Sequence, residues 1–363
     1  MVVIDSDAHV IETETVWDYL EPSEQRFRPV WREGRDGTLR GAGWLIDGQI
    51  SSTGAGSVAA TQEQLEEQSR RTGRELVTPA GAKELVDVPA RLRHMDELGV
   101  DIQVCHSTLW IRAVANEPAT DVALCRAWNR WMYDGYARSN GRLQWSCVLP
   151  FLSMPDTLDE LKWAKEHGAC AVFMRPVEGE RLLHDPYFYP LYEAVSAANI
   201  AIAVHIGNSN REMVRLLSQR NGGAAFWTLR LANAGACHAL LMSEVLDVFP
   251  TLRFGFLESG AGWVPHALID LRSRLRRQGK ETPANLLEQK RVYVACQSDD
   301  DVPYVLKWTG EHNLVSGTDY GHTDQSSELA TFRLLKEECD ISQDQWRRIA
   351  GDNPKALYAL DVN

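Results

Sequence analysis

The sequence lacks the features that mark a membrane or secreted protein. Charged residues interrupt every apolar stretch of the 363-residue chain before it is long enough to cross a bilayer. Such a crossing takes about 20 apolar residues. The chain opens directly on apolar residues, without the basic segment that begins a secretory signal peptide. We therefore expect no membrane partner and a cytoplasmic location.

Basic charge and paired cysteines are also scarce. The 38 lysines and arginines are outnumbered by 50 aspartates and glutamates, which gives a formal net charge of -12. Phosphate backbones repel a chain with this balance, so we expect no nucleic-acid partner. The seven cysteines form no CxxC pair, and an odd number without paired spacing is typical of reduced thiols in a cytoplasm.

Short apolar runs alternate with helical patterns along most of the chain. The runs lie at 2–4, 100–105, 143–149, 169–174, 200–204, 252–257, 292–296 and 314–317. Alternation of this kind predicts a parallel sheet covered by helices. Eight units predict an α/β protein with a closed (β/α)8 TIM-like barrel. An open doubly wound sheet is the alternative, but no GxGxxG sequence follows the first run.

One segment, at about 12–85, interrupts this alternation. It is rich in glycine, serine and polar residues, for example at 41–43 and 51–56, and it contains Trp17, Trp31 and Trp44. Tryptophans are not typical of disordered segments, and long inserted loops are often functional. We predict a single domain over 1–363 in which this cap-like insertion follows the first strand. It either covers the barrel mouth passively or contacts the substrate.

Polar side chains that can bind metal stand at the ends of the predicted strands. The first strand leads into Asp7 and His9, which are two residues apart and therefore share a face. Later strands end at His205, Glu258 and Asp319. Each residue alone is explained as well by a structural hydrogen bond. In a barrel, however, the C-terminal strand ends meet at one mouth, and imidazoles with carboxylates suit Zn²⁺, Mn²⁺ or Fe²⁺.

Several motifs resemble the amidohydrolase-related family that includes aminocarboxymuconate-semialdehyde decarboxylase and the metal-dependent benzoate-type decarboxylases. The matching motifs are IDSDAH at 4–9, VH at 204–205, FLESGAGW at 256–263 and GTDY at 317–320, with RHMD at 93–96, GVD at 99–101 and GDNP at 351–354. The resemblance covers nearly the whole chain outside the early insertion. It implies a metal-dependent barrel enzyme with a small-molecule substrate, and a homodimer.

Two positions depart from the family pattern. The family often opens with His-x-His, whereas Asp7 takes the first position here. Members that decarboxylate typically carry a histidine on strand six, whereas this chain has Glu258. An aspartate still ligates metal, and a glutamate still moves protons when burial raises its pKa. The reaction is therefore expected to be either hydrolysis or decarboxylation of a small carboxylated or aromatic ring compound.

The expected site is built on one divalent ion, with Zn²⁺ first and Mn²⁺ or Fe²⁺ as alternatives. We predict that its ligands are Asp7, His9, His205 and Asp319, and that Asp319 and Glu258 transfer protons. The predicted substrate-binding residues are Arg175, His322 and His106. Arg175 has a fork that matches a carboxylate, although a salt bridge at the barrel rim explains it equally well. A metal-dependent cyclase or dehydratase, and a catalytically silent ligand-binding barrel, are the alternatives.

Overall fold

Eight strands form one sheet, and their order in the sheet follows their order in the chain. The structure, a computed structural model, describes residues 1–34, 42–53, 60–218 and 225–362. Strands β1 to β8 are Ile4–Val10, Ile102–Ser107, Leu143–Cys147, Ala171–Met174, Ala201–His205, Phe254–Leu257, Val292–Cys296 and Leu314–Ser316. Neighbouring strands pair in parallel. The fold is the (β/α)8 barrel that the alternation predicts.

Helices follow the strands as expected for this fold. The longer helices are Gln62–Thr72, Val88–Leu98, Pro118–Ala137, Met154–Glu166, Tyr189–Ala198, Arg211–Leu217, Leu231–Met242, Val264–Arg277, Val302–Thr309 and Thr331–Glu337. Shorter helices are Val245–Val248, Leu286–Gln289, Gln343–Arg347 and Asn353–Tyr358. Within the described ranges, none of the helices has the length and apolar character that a membrane crossing requires. The sequence also predicts a long helical stretch from the end of β5 to about 249, and residues 219–224 of that stretch lie outside the described residues.

The first strand differs from its predicted bounds. The switch from apolar to polar residues at Asp5 predicts an end near Ile4, but β1 runs over Ile4–Val10. Every residue of β1 is buried. Asp5, the first polar residue, accepts hydrogen bonds from the backbone N–H and the hydroxyl of Thr318 at 3.0 and 2.6 Å, so it does not end the strand. Asp7 and His9 consequently lie inside β1 rather than after it.

The chain divides into two compact units. The first unit comprises Met1–Ser6, Met174–Thr318 and Ala330–Asn363, and the second comprises Asp7–Phe173 and Asp319–Leu329. In the first, Tyr192 packs edge-on against Phe249 and Phe254, with ring centroids 5.9 and 5.7 Å away. In the second, Trp128 lies buried among other tryptophan rings, namely Trp110, Trp131 and Trp145. The prediction of a single domain stays a prediction.

The insertion after β1 carries structure of its own. Strands Val30–Arg32, Gly43–Ile46 and Gln49–Ser51 form a small antiparallel sheet. Trp44 in this sheet meets the rings of Trp17 and Trp31 edge-on at 5.6 and 5.3 Å. These contacts account for the tryptophans noted in the sequence. Residues 35–41 and 54–59 of the insertion lie outside the described residues.

The end of the insertion binds the segment that follows β8. Gln68 donates a hydrogen bond to the carbonyl of Thr323 at 2.6 Å. The guanidinium of Arg74 donates to the carbonyls of Gln325 and Ser327 at 2.5 and 3.3 Å. The insertion therefore braces a loop that carries candidate site residues. Whether it also contacts the substrate stays a prediction.

A buried arginine supports the strand that carries His9. Arg91 is 0% exposed. It donates to Gln103 Oε1 at 2.8 Å and to the His9 carbonyl at 3.0 Å, and it stacks over the Tyr320 ring at 4.3 Å. Burying a cation is favourable only with such partners.

Replacing Arg91 with methionine is expected to lower the free energy of unfolding by about 2–4 kcal/mol, because two buried acceptors lose their donor. Urea unfolding measures this change. Arg93→Met, on the exposed face of the same helix, is the matched control and should stay within about 0.5 kcal/mol of wild type. Equal stability of the two variants would contradict the prediction.

Candidate metal centre and catalytic pair

Strand β1 places an aspartate and a histidine on one face. Asp7 and His9 are two residues apart, so the period of the strand directs both side chains to the same side. Asp7 is 3% exposed and His9 is 0% exposed. His9 Nε2 lies 3.6 Å from Asp7 Oδ1. The spacing in the sequence therefore delivers the adjacent pair that it predicts.

Asp319 joins them from the turn after β8. Its backbone N–H donates to the Asp7 carbonyl at 2.8 Å, and Ser327 Oγ donates to its Oδ2 at 2.7 Å. Its other oxygen, Oδ1, lies 3.5 Å from His9 Nε2. Asp319 adopts a left-handed conformation with φ of 52°, which costs of order 1–3 kcal/mol and is typical of functional sites.

His322 completes what we call the histidine–aspartate cluster, namely Asp7, His9, Asp319 and His322. His322 Nδ1 lies 2.7 Å from Asp319 Oδ1. Its ring stacks on the His9 ring with centroids 3.8 Å apart and planes inclined by 22°. The potential ligand atoms of His9, Asp319 and His322 all lie within 4.8 Å of one another.

The chemistry of this cluster fits a divalent cation. Its donors are carboxylate oxygens and imidazole nitrogens, the set that Zn²⁺, Mn²⁺ and Fe²⁺ accept. Both carboxylates are buried, and buried carboxylates are costly unless a cation or hydrogen bonds compensate their charge. A bound ion would supply that compensation, and the imidazoles would ligate it as neutral rings.

A second acid–imidazole pair follows β5 and β6, and we call it the His205–Glu258 pair. The parallel register aligns His205 with Leu257, so Glu258 stands directly beyond the partner of His205. His205 Nε2 and Glu258 Oε2 are 2.8 Å apart, and both side chains are buried. Glu258 also adopts a left-handed conformation, with φ of 59°. Register and turn conformation together bring these two groups into contact.

The surroundings of His205 indicate which of its nitrogens faces Glu258. His205 Nδ1 lies 3.0 Å from the carbonyl of Ile206, and a carbonyl only accepts, so Nδ1 carries the hydrogen. Nε2 then faces the Glu258 carboxyl oxygen with its lone pair, so this contact calls for a proton or a metal ion between the two atoms.

Asp300 holds the loop that follows Glu258. Its carboxylate accepts hydrogen bonds from the backbone N–H groups of Ala261, Gly262 and Gln297 at 2.8, 3.2 and 2.9 Å. Burial raises the pKa of Asp300, and these backbone donors partly offset that rise. The loop after β6 is therefore held by a side chain from the connection between β7 and the helix Val302–Thr309.

The predicted substrate-binding residues occupy different surroundings. The His106 ring lies 6.0 Å from the His9 ring, and its Nδ1 contacts Ser146 Oγ at 2.8 Å, so it borders the histidine–aspartate cluster. Arg175 instead forms a buried ion pair, in which Nε and Nη2 contact Glu178 Oε2 at 2.9 and 2.5 Å. A salt bridge, which the sequence offers as the alternative explanation of Arg175, is therefore present. A role of Arg175 in binding substrate stays a prediction.

Two buried residues of this region are absent from the sequence-based prediction. Thr108 Oγ1 contacts His322 Nε2 at 2.8 Å and His9 Nδ1 at 3.5 Å. Glu12 accepts hydrogen bonds from the backbone of Thr108 and from Trp128 Nε1 at 3.2 and 2.8 Å. Glu12 directly follows two apolar residues, 10 and 11, and this position is only a weak sign of a buried acid near the site. Nothing in the sequence singles out Thr108.

Comparison with known proteins identifies relatives over the whole chain. A family model described as Amidohydrolase matches residues 4–360. An amidohydrolase from Mycobacterium avium subsp. paratuberculosis K-10 superposes with a TM-score of 0.76 at 18% identity, covering 98% of this chain and 99% of that one. No curated protein sequence matches the chain.

Two further solved structures are decarboxylases that hold manganese. The 5-carboxyvanillate decarboxylase from Novosphingobium aromaticivorans DSM 12444 has a TM-score of 0.70 at 15% identity, covering 99% of this chain and 96% of that one. A dihydroxybenzoic acid decarboxylase from Polaromonas sp. JS666 has a TM-score of 0.66 at 15% identity, covering 100% and 98%. At these identities the likeness establishes the barrel fold.

Proposed function

The chain belongs to the amidohydrolase family, and we propose that it is a metal-dependent decarboxylase of a small hydroxylated aromatic carboxylate. The observation that carries the proposal is the buried Glu258 carboxyl group, which lies 2.8 Å from the proposed ligand His205 and would supply the proton. Decarboxylation of a ring consumes one proton at the carbon that loses CO₂. The similar structures that act on 5-carboxyvanillate and dihydroxybenzoic acid support this reaction class.

We propose that the metal ligands include Asp7, His9, His205 and Asp319. The basis is the fold, because the C-terminal ends of barrel strands open on one mouth. The His205 bond to the Ile206 carbonyl leaves Nε2 as its ligand nitrogen. The sequence favours Zn²⁺, whereas the two similar decarboxylases hold manganese, so metal analysis has to decide between the two ions.

The residues of the chain have separate tasks in this proposal. A divalent ion bound here supplies Lewis-acid polarisation of a substrate oxygen. Glu258 Oε2 delivers its proton to the ring carbon, the bond from that carbon to the carboxylate breaks, and CO₂ leaves with the ring restored. Asp319 orients the phenol or carboxylate group of the substrate. His106, and Arg175 if its fork exchanges Glu178 for substrate, would contact the substrate carboxylate.

Hydrolysis is the second candidate. The observation in its favour is Glu258 itself, which stands where decarboxylating relatives typically carry a histidine. In hydrolysis, Asp319 takes a proton from the attacking water and Glu258 protonates the leaving group. Both reactions use the same residues, so the products distinguish them.

The deciding experiment pairs elemental analysis of the purified protein with a mass-spectrometric screen of hydroxybenzoates, amides and lactones. We expect about one divalent ion per chain and a substrate that loses CO₂. Gain of water by an amide or lactone would replace decarboxylation with hydrolysis. Metal without either product would favour a cyclase or dehydratase, and absence of metal would favour a silent ligand-binding barrel.

The cellular location and assembly are also proposals. All seven cysteines are free thiols and six of them are buried, which agrees with a reducing cytoplasm. The homodimer follows only from the family resemblance. Light scattering of the purified protein tests it directly.

A further inference from the structure

Thr108 has a hydroxyl that contacts both rings of the histidine–aspartate cluster. It follows β2, and it is 2% exposed. Its Oγ1 lies 2.9 Å from the carbonyl of Val10, 2.8 Å from His322 Nε2 and 3.5 Å from His9 Nδ1. A hydroxyl has one hydrogen to donate and two lone pairs that accept, so three partners use its full capacity.

The partners of Thr108 determine which ring nitrogens carry hydrogen. The Val10 carbonyl can only accept, so it takes the single hydroxyl hydrogen of Thr108. The two ring contacts are then N–H donors to Thr108, which places hydrogens on His322 Nε2 and His9 Nδ1. A neutral ring with a hydrogen on one nitrogen presents a lone pair on the other. His9 Nε2 and His322 Nδ1 are those nitrogens.

Both of these nitrogens lie near the same carboxylate oxygen. Asp319 Oδ1 lies 3.5 Å from His9 Nε2 and 2.7 Å from His322 Nδ1. Three acceptor atoms so close together repel one another unless a cation, either a ring proton or a metal ion, lies among them. A ring proton would bridge one nitrogen to the oxygen, whereas a metal ion would serve all three atoms at once.

We propose that Thr108 is a positioning residue of the metal centre, and that His322 Nδ1 is one of its ligands. The hydroxyl of Thr108 selects the ring tautomers that turn His9 Nε2 and His322 Nδ1 toward the ion. The sequence predicts a substrate contact for His322, whereas the stacking on His9 and the contact with Asp319 point to the metal. The inference rests on the proposed function, because it requires that the cluster binds metal.

Glu12 anchors Thr108 in this arrangement. Its carboxylate accepts from Ser107 Oγ, from the N–H groups of Thr108 and Leu109, and from Trp128 Nε1 at 2.6, 3.2, 3.1 and 2.8 Å. It is 2% exposed. A carboxylate with four donors fixes the backbone of the loop after β2, so the Thr108 hydroxyl has one position. Such outer partners of ligating histidines fix the tautomer and the ring orientation.

The test compares Mn²⁺ binding by four chelator-stripped proteins in a calorimeter. Thr108→Val keeps the shape of the side chain and removes the hydroxyl, and we expect its Mn²⁺ affinity to fall by about tenfold to hundredfold. Thr108→Ser restores the hydroxyl and should bind within about threefold of wild type. Thr157→Val is the matched control, because buried Thr157 also donates to a carbonyl, that of Pro150 at 2.8 Å, and contacts no histidine in the described structure.

Each outcome bears on a separate claim. The positioning role is supported if Thr108→Val and Thr157→Val lower the melting temperature equally and only Thr108→Val binds Mn²⁺ weakly. Wild-type affinity in Thr108→Val, or equal weakening in Thr157→Val, overturns it and leaves the proposed metal enzyme intact. Failure of the wild type to bind Mn²⁺ or Zn²⁺ overturns the proposed function itself.

Nitrogen NMR adds a readout that a loss of stability does not move. In histidine-labelled protein loaded with Zn²⁺, we expect hydrogens on His9 Nδ1 and His322 Nε2, with the opposite nitrogens shifted by the metal. Thr108→Val should show mixed tautomers for both rings. His322 with an unshifted Nδ1 in the wild type would remove it from the ligand set.

Discussion

Replacing Asp319 with asparagine is expected to lower kcat/KM by about 10³-fold or more and to weaken metal binding. Loss of an ion that stabilises transition-state charge costs several kcal/mol, and each factor of ten corresponds to about 1.4 kcal/mol. Asp319 Oδ1 stands 3.5 Å from His9 Nε2 and 2.7 Å from His322 Nδ1. If the oxygen of the asparagine side chain accepts the hydrogen bond from Ser327, its NH₂ group faces the two histidine rings. That group would donate hydrogen bonds to the ring nitrogens that we propose as metal ligands.

The asparagine variant should keep its fold, so the loss can be assigned to chemistry. Asparagine tolerates the left-handed conformation that Asp319 adopts at φ of 52°. Metal content by elemental analysis, kcat/KM in a series of Mn²⁺ concentrations and thermal unfolding are the measurements. Asp340→Asn, at an exposed position, is the control and should behave as wild type. A fully active Asp319→Asn protein would refute the metal centre described here.

The second large effect is expected at Glu258. Glu258→Gln should lower kcat by about 10²–10⁴-fold, the usual contribution of a positioned acid, while Mn²⁺ affinity stays within a few fold of wild type. Glutamine fills the same space beside His205 Nε2, where Glu258 Oε2 lies at 2.8 Å, but it has no proton to transfer. The control is Glu288→Gln at an exposed position.

Calorimetry and kinetics together separate three roles for Glu258. A loss of kcat with metal binding retained identifies the acid. A parallel loss of Mn²⁺ affinity would instead make Glu258 a metal ligand, and unchanged kinetics would leave it a structural partner of His205. Glu258→His places at this position the residue that decarboxylating relatives typically carry, and recovery of activity relative to Glu258→Gln would show that this position supplies a proton donor.

The sequence alone determined the fold and most of the candidate ligands. Strand and helix periodicity depends on local backbone geometry and burial. The eight β/α units can therefore be recognised from the sequence without any knowledge of packing. The position of His205 at the end of β5, and of Asp319 just after β8, follows from where the apolar runs stop. The end of β1 was predicted wrongly, because its polar residues are buried inside the strand and do not follow it.

The tertiary structure decided which buried groups those residues meet. The contact of Thr108 with His322 joins residues 214 positions apart, and the contact of Glu12 with Trp128 spans 116 positions. Arg175 pairs with Glu178 through the Nε and Nη2 atoms of its guanidinium group. Hydrogen-bond direction, tautomer and left-handed turns at Glu258 and Asp319 depend on which buried groups meet. Packing of distant segments fixes those meetings, and no local pattern in the sequence encodes them.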